Sequence, residues 1–150
     1  MIHVETLGEA PVERMVRGRV DVATDGPGMT DVTAALSTFV RDNALRDGVL
    51  TAFVVHTTAS LTVQENADPD VQSDLLAALG RLAPRGARYA HSVEGADDMP
   101  GHIKAMLSDT SISVAVADGR LQLGTWQALY LIEHRDRRHT RTITLDFIGR

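Results

Sequence analysis

Residues 111–148 read SISVAVADGRLQLGTWQALYLIEHRDRRHTRTITLDFI, and the alternation in this stretch decides the fold class. Ile112, Val114 and Val116 recur at every second position, Asp118-Gly119 is a strong hairpin turn, and Leu121 and Leu123 resume the pattern. Residues 126–133 and 142–148 follow as two further strands, the last placing Ile143, Leu145 and Phe147 on one face. Hairpins therefore dominate the C-terminal half. Strands in series without regular βαβ alternation point to an α+β protein and away from a doubly wound one.

Working towards the N-terminus, Asp97-Asp98-Met99-Pro100-Gly101-His102 reads as the start of a short helix through Leu107, because Pro100 fits only a first turn. Asp68-Pro69 reads as N-cap and first residue of another helix, with Val71, Leu75, Leu79 and Leu82 as its buried stripe and Ala83-Pro84-Arg85-Gly86 as its stop. Leu61 and Val63 alternate with Thr62 and Gln64 in a short strand. Residues 49–55 (VLTAFVV) are apolar and β-branched, as in a strand covered on both faces, and they deliver His56 at its end. The spacing of Val32, Leu36, Phe39, Val40 and Ala44 predicts a helix capped by Thr30 and ended before Gly48. Val16, Gly18, Val20 and Val22 alternate with charged residues in a half-exposed strand that Gly26-Pro27-Gly28 breaks. The expectation is one compact domain over residues 1–150, with about seven strands in mixed or antiparallel sheets and about three helices.

Composition narrows the function. Hydrophobic residues make up 43% and charged residues 23%, as in ordinary globular proteins. No apolar run reaches the roughly 18–20 residues of a membrane span, and the first residues lack a signal-peptide core, so no membrane role and a cytoplasmic location are expected. The absence of cysteine excludes thiolate nucleophiles, disulfides and Cys-ligated zinc, which leaves any metal to His, Asp and Glu. A net charge of −5 argues against nucleic-acid partners. The basic run Arg135 to Arg141 (RDRRHTR) is the local exception, and it reads first as a solvated hairpin tip and second as a site for an anionic small molecule.

Three constellations can carry chemistry. His56-Thr57-Thr58-Ala59-Ser60 offers an imidazole and several hydroxyls at a strand end, although turn hydrogen bonds alone would account for them. His91 to Lys104 (HSVEGADDMPGHIK) packs two His, one Glu, two Asp and the only Lys into 14 residues. Imidazole plus carboxylate suits zinc, manganese or iron, carboxylates alone suit magnesium, and the spacing matches no standard metal motif. Asp97 and Asp98 have a simpler reading as helix caps, but His102 does not: in a first helical turn its charged form is disfavoured, leaving a neutral imidazole as ligand or base. In Leu123-Gly124-Thr125-Trp126-Gln127, Gly124 permits a close approach and Trp126 reads as a packing anchor in a core or interface. No G-x-S-x-G, Walker or GxGxxG motif is present.

Taken together, HTTASLTVQENADPDVQSD, YAHSVEGADDMPGHIKAML and DGRLQLGTWQALYLIEHR closely resemble the YjbQ family, also called the secondary thiamine-phosphate synthase family, over about residues 50–135. The resemblance implies an α+β domain that forms a homotrimer with polar pockets near subunit boundaries. It also implies a weak transferase activity that joins a hydroxymethylpyrimidine diphosphate to a thiazole phosphate with release of pyrophosphate. Matching positions are His56, Thr57, Glu65, Asn66, Asp68, Asp74, His91, Glu94, Asp98, His102, Lys104, Thr125, Trp126, Gln127, Glu133 and Arg141. Arg137-Arg138-His139 stands where relatives carry a Gly-rich turn.

On this basis His56, Glu94, Asp98 and His102 are the expected catalytic residues, and His56, His91 and His102 the expected ligands of a divalent ion, zinc or magnesium. Thr57, Asn66, Lys104, Thr125, Gln127 and Arg141 are expected to hold a small phosphorylated metabolite. Two alternatives accompany this reading: a metal- or phosphometabolite-binding protein without significant turnover, and a metal-dependent phosphate-ester hydrolase.

Overall fold

A computed structural model describes residues 1–150. The elements run β1 (Arg14–Thr24), β2 (Gly28–Asp31), α1 (Thr33–Asp42), β3 (Gly48–Val54), β4 (Ala59–Glu65), α2 (Pro69–Leu82), α3 (Asp98–Leu107), β5 (Ser111–Ala117), β6 (Arg120–Leu121), β7 (Gln127–Glu133) and β8 (His139–Gly149). They form a five-stranded sheet, β1-β8-β3-β5-β6, and a three-stranded sheet, β2-β7-β4, with every pairing antiparallel. The α+β expectation holds.

The two sheets enclose a core in which Leu50, Ala52 and Val54 of β3, Ile143, Leu145 and Phe147 of β8, and Leu129 and Leu131 of β7 meet Leu36 and Val40 of α1. Asp118 (φ 49°) and Gly119 (φ 73°) turn β5 into β6, as a two-residue hairpin requires. Asp68 caps α2, its side chain accepting from the Asp70 N–H at 2.9 Å.

Four local expectations change. Thr30 lies in β2, and it is the Asp31 carboxylate that accepts from the Thr33 N–H at 2.8 Å to open α1. The strand β2, absent from the sequence reading, exists because Gly28–Asp31 pair with Tyr130–Glu133. Residues 127, 129, 131 and 133 share one face of their strand, which Gln127 and Glu133 would make partly polar, yet residues 128–133 are buried on both faces, since Leu129 and Leu131 enter the core while Tyr130 meets Gln72 of α2. The stripe of α2 is only half-covered: no residue of that helix is buried and Leu82 is exposed. No helix is long and apolar enough to cross a membrane.

Candidate metal centre and its flanking cavities

At one end of the three-stranded sheet, α3 carries Asp98 and His102 on one face because they are four residues apart. The helix begins at Asp98, so His102 sits one turn further in than a first-turn position, beside a carboxylate and away from the helix terminus. The loop before α3 returns His91 to the same spot. His91 Nε2 lies 2.6 Å and His102 Nε2 3.5 Å from Asp98 Oδ2, and the two imidazole rings meet edge to face with centroids 5.5 Å apart. One ligand atom from each of the three residues lies within 4.8 Å of the others.

Asp98 is 1% exposed, whereas both imidazoles reach solvent. Burial alone would raise its carboxyl pKa. The His91 hydrogen bond and the charges of Arg135 and the two imidazoles outweigh that and hold the group below the usual carboxylate range. Arg135 supplies the geometry. Its Nη1 pairs with Asp98 Oδ1, its Nε donates to Asp97 Oδ2 at 2.9 Å, and its Nη2 donates to the Glu94 carbonyl at 2.9 Å. Neither Asp97 nor Asp98 therefore serves merely as a cap, and Asp97 makes no side-chain cap bond. Burial opposes ionisation of Asp97, but the Asp136 N–H and Arg135 bring its pKa to about 2.

Gly101 lets α3 pack closely here. A Cβ there would lie 3.3 Å from Thr58 and 3.5 Å from Arg135 Cδ. Beneath the site, Glu133 accepts five hydrogen bonds: from Thr24 Oγ1, from Nε and Nη2 of Arg141, and from the N–H groups of His134 and Arg135. Burial alone would raise the Glu133 carboxyl pKa; the Arg141 bond leads the contacts that lower it instead. His134 Nε2 lies 2.8 Å from Ser60 Oγ, and burial, aided by Lys104, depresses its pKa to about 4.

Two cavities flank the three residues. The larger, about 730 Å³, is lined on the His102 side by His56, Thr57, Arg141 and apolar residues including Phe53 and Met106. The smaller, about 350 Å³, opens on the His91 side between Arg85, Arg88, Tyr89 and Ser92.

The expected site residues distribute unevenly. His56 lines the larger cavity, but its Nε2 already accepts from the Thr142 N–H at 2.8 Å, so it stands apart from the cluster of His91, Asp98 and His102. Burial, with the Arg141 charge, lowers its pKa. Arg141 donates through Nε and Nη2 to Glu133 and through Nη2 to Thr58, which leaves Nη1 as the guanidinium nitrogen without a protein acceptor. Glu94 contributes its carbonyl to Arg135, and the residue is exposed. Lys104 faces the other side of α3; burial and the nearby Arg85 lower its pKa.

Asn66, Thr125 and Gln127 lie at the opposite end of β7, roughly 20 Å from Glu133 at strand rise. There the Asn66 N–H donates to the Trp126 carbonyl at 3.1 Å and Gln127 Oε1 accepts from the Gly124 N–H at 2.8 Å. Trp126 is 65% exposed, so it packs in no core of this chain.

The sequence reading missed Arg135 as an organiser. Treating RDRRHTR as a solvated tip fits Arg137 and Arg138, which are exposed, but not Arg135 or Arg141. The one available signal was that Arg135 lies two residues past a strand that ends in Glu133.

Residues 18–150 match the family model described as UPF0047 protein YjbQ-like. A UPF0047 protein of Synechocystis sp. is 44% identical over 129 residues, covering 85% of this chain and 88% of that one. A crystal structure of a YjbQ/UPF0047 family protein from Clostridium acetobutylicum superposes with a TM-score of 0.78 at 33% identity, covering 89% of this chain and 99% of that one. A hypothetical protein from Aeropyrum pernix K1 gives a TM-score of 0.82 at 28% identity, covering 90% and 99% respectively.

Proposed function

The chain belongs to the YjbQ-like UPF0047 family, and from that premise we propose that it is a metal-dependent transferase of small phosphorylated metabolites, with the thiamine-phosphate synthase reaction as its chemistry. The observation that carries this reading is the convergence of His91, Asp98 and His102 between two cavities. Two imidazoles and one carboxylate fit zinc better than magnesium, which prefers oxygen ligands, and three protein ligands leave a position open. Arg135 occupies Asp98 Oδ1 and leaves Oδ2 for a cation. His56 is proposed as a substrate-side group and not as a ligand.

In the proposed reaction, a thiazole nitrogen forms a bond to the pyrimidine methylene carbon while the carbon–oxygen bond to the diphosphate breaks. The electron pair leaves with pyrophosphate, and nothing is oxidised or reduced. The cation would supply Lewis-acid charge to the departing group. His56, Thr57 and Arg141 Nη1 line the larger cavity as hydrogen-bonding groups, and its apolar wall of Phe53, Val54, Val55, Ala105 and Met106 suits a heteroaromatic ring.

A homotrimer belongs to the same proposal. It is supported by exposed apolar residues on one face of the larger sheet (Met15, Val49, Phe53, Ile148), by the half-covered α2 and by exposed Trp126. Asn66, Thr125 and Gln127 are too far from His102 to share its ligand within one chain, so a neighbouring copy would have to bring them. Trp126→Glu is expected to lower the mass seen by light scattering.

A second reading rests on the donor set itself, since two His and one carboxylate also suit hydrolysis of a phosphate ester. Product analysis separates the two: the synthase reading predicts coupled product and pyrophosphate in equal amounts, and the hydrolase reading predicts phosphate alone. For either reaction, folded His102→Ala is expected to lose metal and product together, and retention of both would remove this site.

A further inference from the structure

The cavity on the His91 side gathers positive side chains that are not among the residues carried over from the family. Its lining includes Arg85 and Arg88 and no carboxylate. Arg85 is bound to Asp136, through Nη1 to Oδ2 at 2.6 Å and through Nη2 to Oδ1, but Arg88 pairs with no acidic group, although Arg85 and Arg135 nearby both do. A basic side chain left unpaired on a concave wall is a place for an anion.

The loop adds donors of its own. Gly95 has a φ of +115°, and the N–H groups of Ser92, Gly95 and Ala96 have no backbone acceptor. Tyr89 holds the loop in place through its hydroxyl, which donates to the Pro84 carbonyl at 2.9 Å. The volume, about 350 Å³, falls in the small-ligand range of roughly 300–1,000 Å³.

We infer that this cavity is an anion subsite, in which Arg88, Ser92 and the loop N–H groups receive the diphosphate or phosphate end of the substrate beside the metal centre. The inference rests on the reading of His91, Asp98 and His102 as that centre, and it assigns the phosphate to the His91 side, leaving the larger, apolar-walled cavity to the ring. Arg88 is then a binding residue that sequence and resemblance both passed over.

The test is calorimetric titration of the full chain, stripped of metal, with inorganic pyrophosphate. Wild-type protein is expected to bind, and Arg88→Gln to bind about tenfold more weakly or worse, the loss expected from one charge-assisted hydrogen bond. Arg88 makes no ion pair that the fold needs, so this variant should keep its thermal midpoint. Arg138→Gln, at the exposed tip, should bind as wild type does, and amide shifts on titration should fall at Ser92, Gly95 and Ala96 and not at Thr57. Unchanged affinity in Arg88→Gln, or shifts confined to the His56 side, would overturn the subsite. Metal uptake of the same proteins after reloading with zinc and dialysis separates the two ideas: bound metal with Arg88-independent pyrophosphate binding removes the subsite alone. Arg88-dependent binding in a chain that takes up no metal removes the metal centre alone.

Discussion

Two buried carboxylates, Glu133 and Asp98, are each held by an arginine, yet they do different work. Glu133 is saturated by the protein itself: its five hydrogen bonds come from Thr24, Arg141 and two backbone N–H groups. Asp98 is bonded to Arg135 through one oxygen and shares the other between two imidazoles that reach solvent. The difference separates a polar core pair at the end of β7 from a carboxylate that faces two solvent-reaching imidazoles. A buried charge whose side-chain partners are buried with it is structure; one whose partners include exposed, ligand-capable imidazoles is a candidate site.

The largest effect that sharpens this contrast should come from Glu133→Gln. It leaves the buried Arg141 without its countercharge, and breaking such a pair is expected to cost roughly 3–5 kcal/mol in urea denaturation. A loss under about 1 kcal/mol would place Glu133 with the functional groups instead.

Acid should act next. His134 has a pKa of about 4 in the folded chain against an ordinary 6.5, because burial disfavours the imidazolium, with Lys104 adding to it. The unfolded chain binds that proton more readily. Its contribution to stability is therefore complete above pH 6.5 and falls as the pH drops towards 4, by roughly 3 kcal/mol in all. His56, also depressed by burial, acts in the same direction. Between pH 6.5 and about 4.5 the carboxylates contribute little, so His134→Gln should flatten the stability profile across that window.

Asp98→Asn should cost less stability, about 1–3 kcal/mol for a disturbed buried hydrogen-bond group, but all of the metal binding. Equal metal content in variant and wild type would break the comparison from the other side. The smallest effect belongs to Arg138→Ala, whose ion pair with Asp25 is 81% and 80% exposed and should change stability by less than about 0.5 kcal/mol.

How much of this was legible in the sequence depends on the range over which each feature is determined. Asp68-Pro69 and Asp118-Gly119 act within two or three residues, and the structure forms both as the sequence indicates. The strand β2 could not be read, because Gly28–Asp31 owe their conformation to pairing with β7 and have little β preference of their own. The density of His91 to Lys104 marked that segment as a candidate, and helical spacing alone puts His102 beside Asp98. Arg135 was hidden because its partners lie 37 and 38 positions away and the basic run around it reads as solvated. Lys104 was the opposite case: its sequence distance from His102 is short, but a two-residue step on a helix turns it to the other side.

The central claim is tested most directly by measuring the metal content of the purified chain after zinc loading and exhaustive dialysis, beside His91→Ala and His102→Ala with their far-UV circular dichroism. The account predicts a retained divalent ion in each wild-type chain and none in either variant, with the fold intact in all three. Wild-type protein that dialyses free of metal, or folded variants that keep it, would contradict the metal centre of His91, Asp98 and His102.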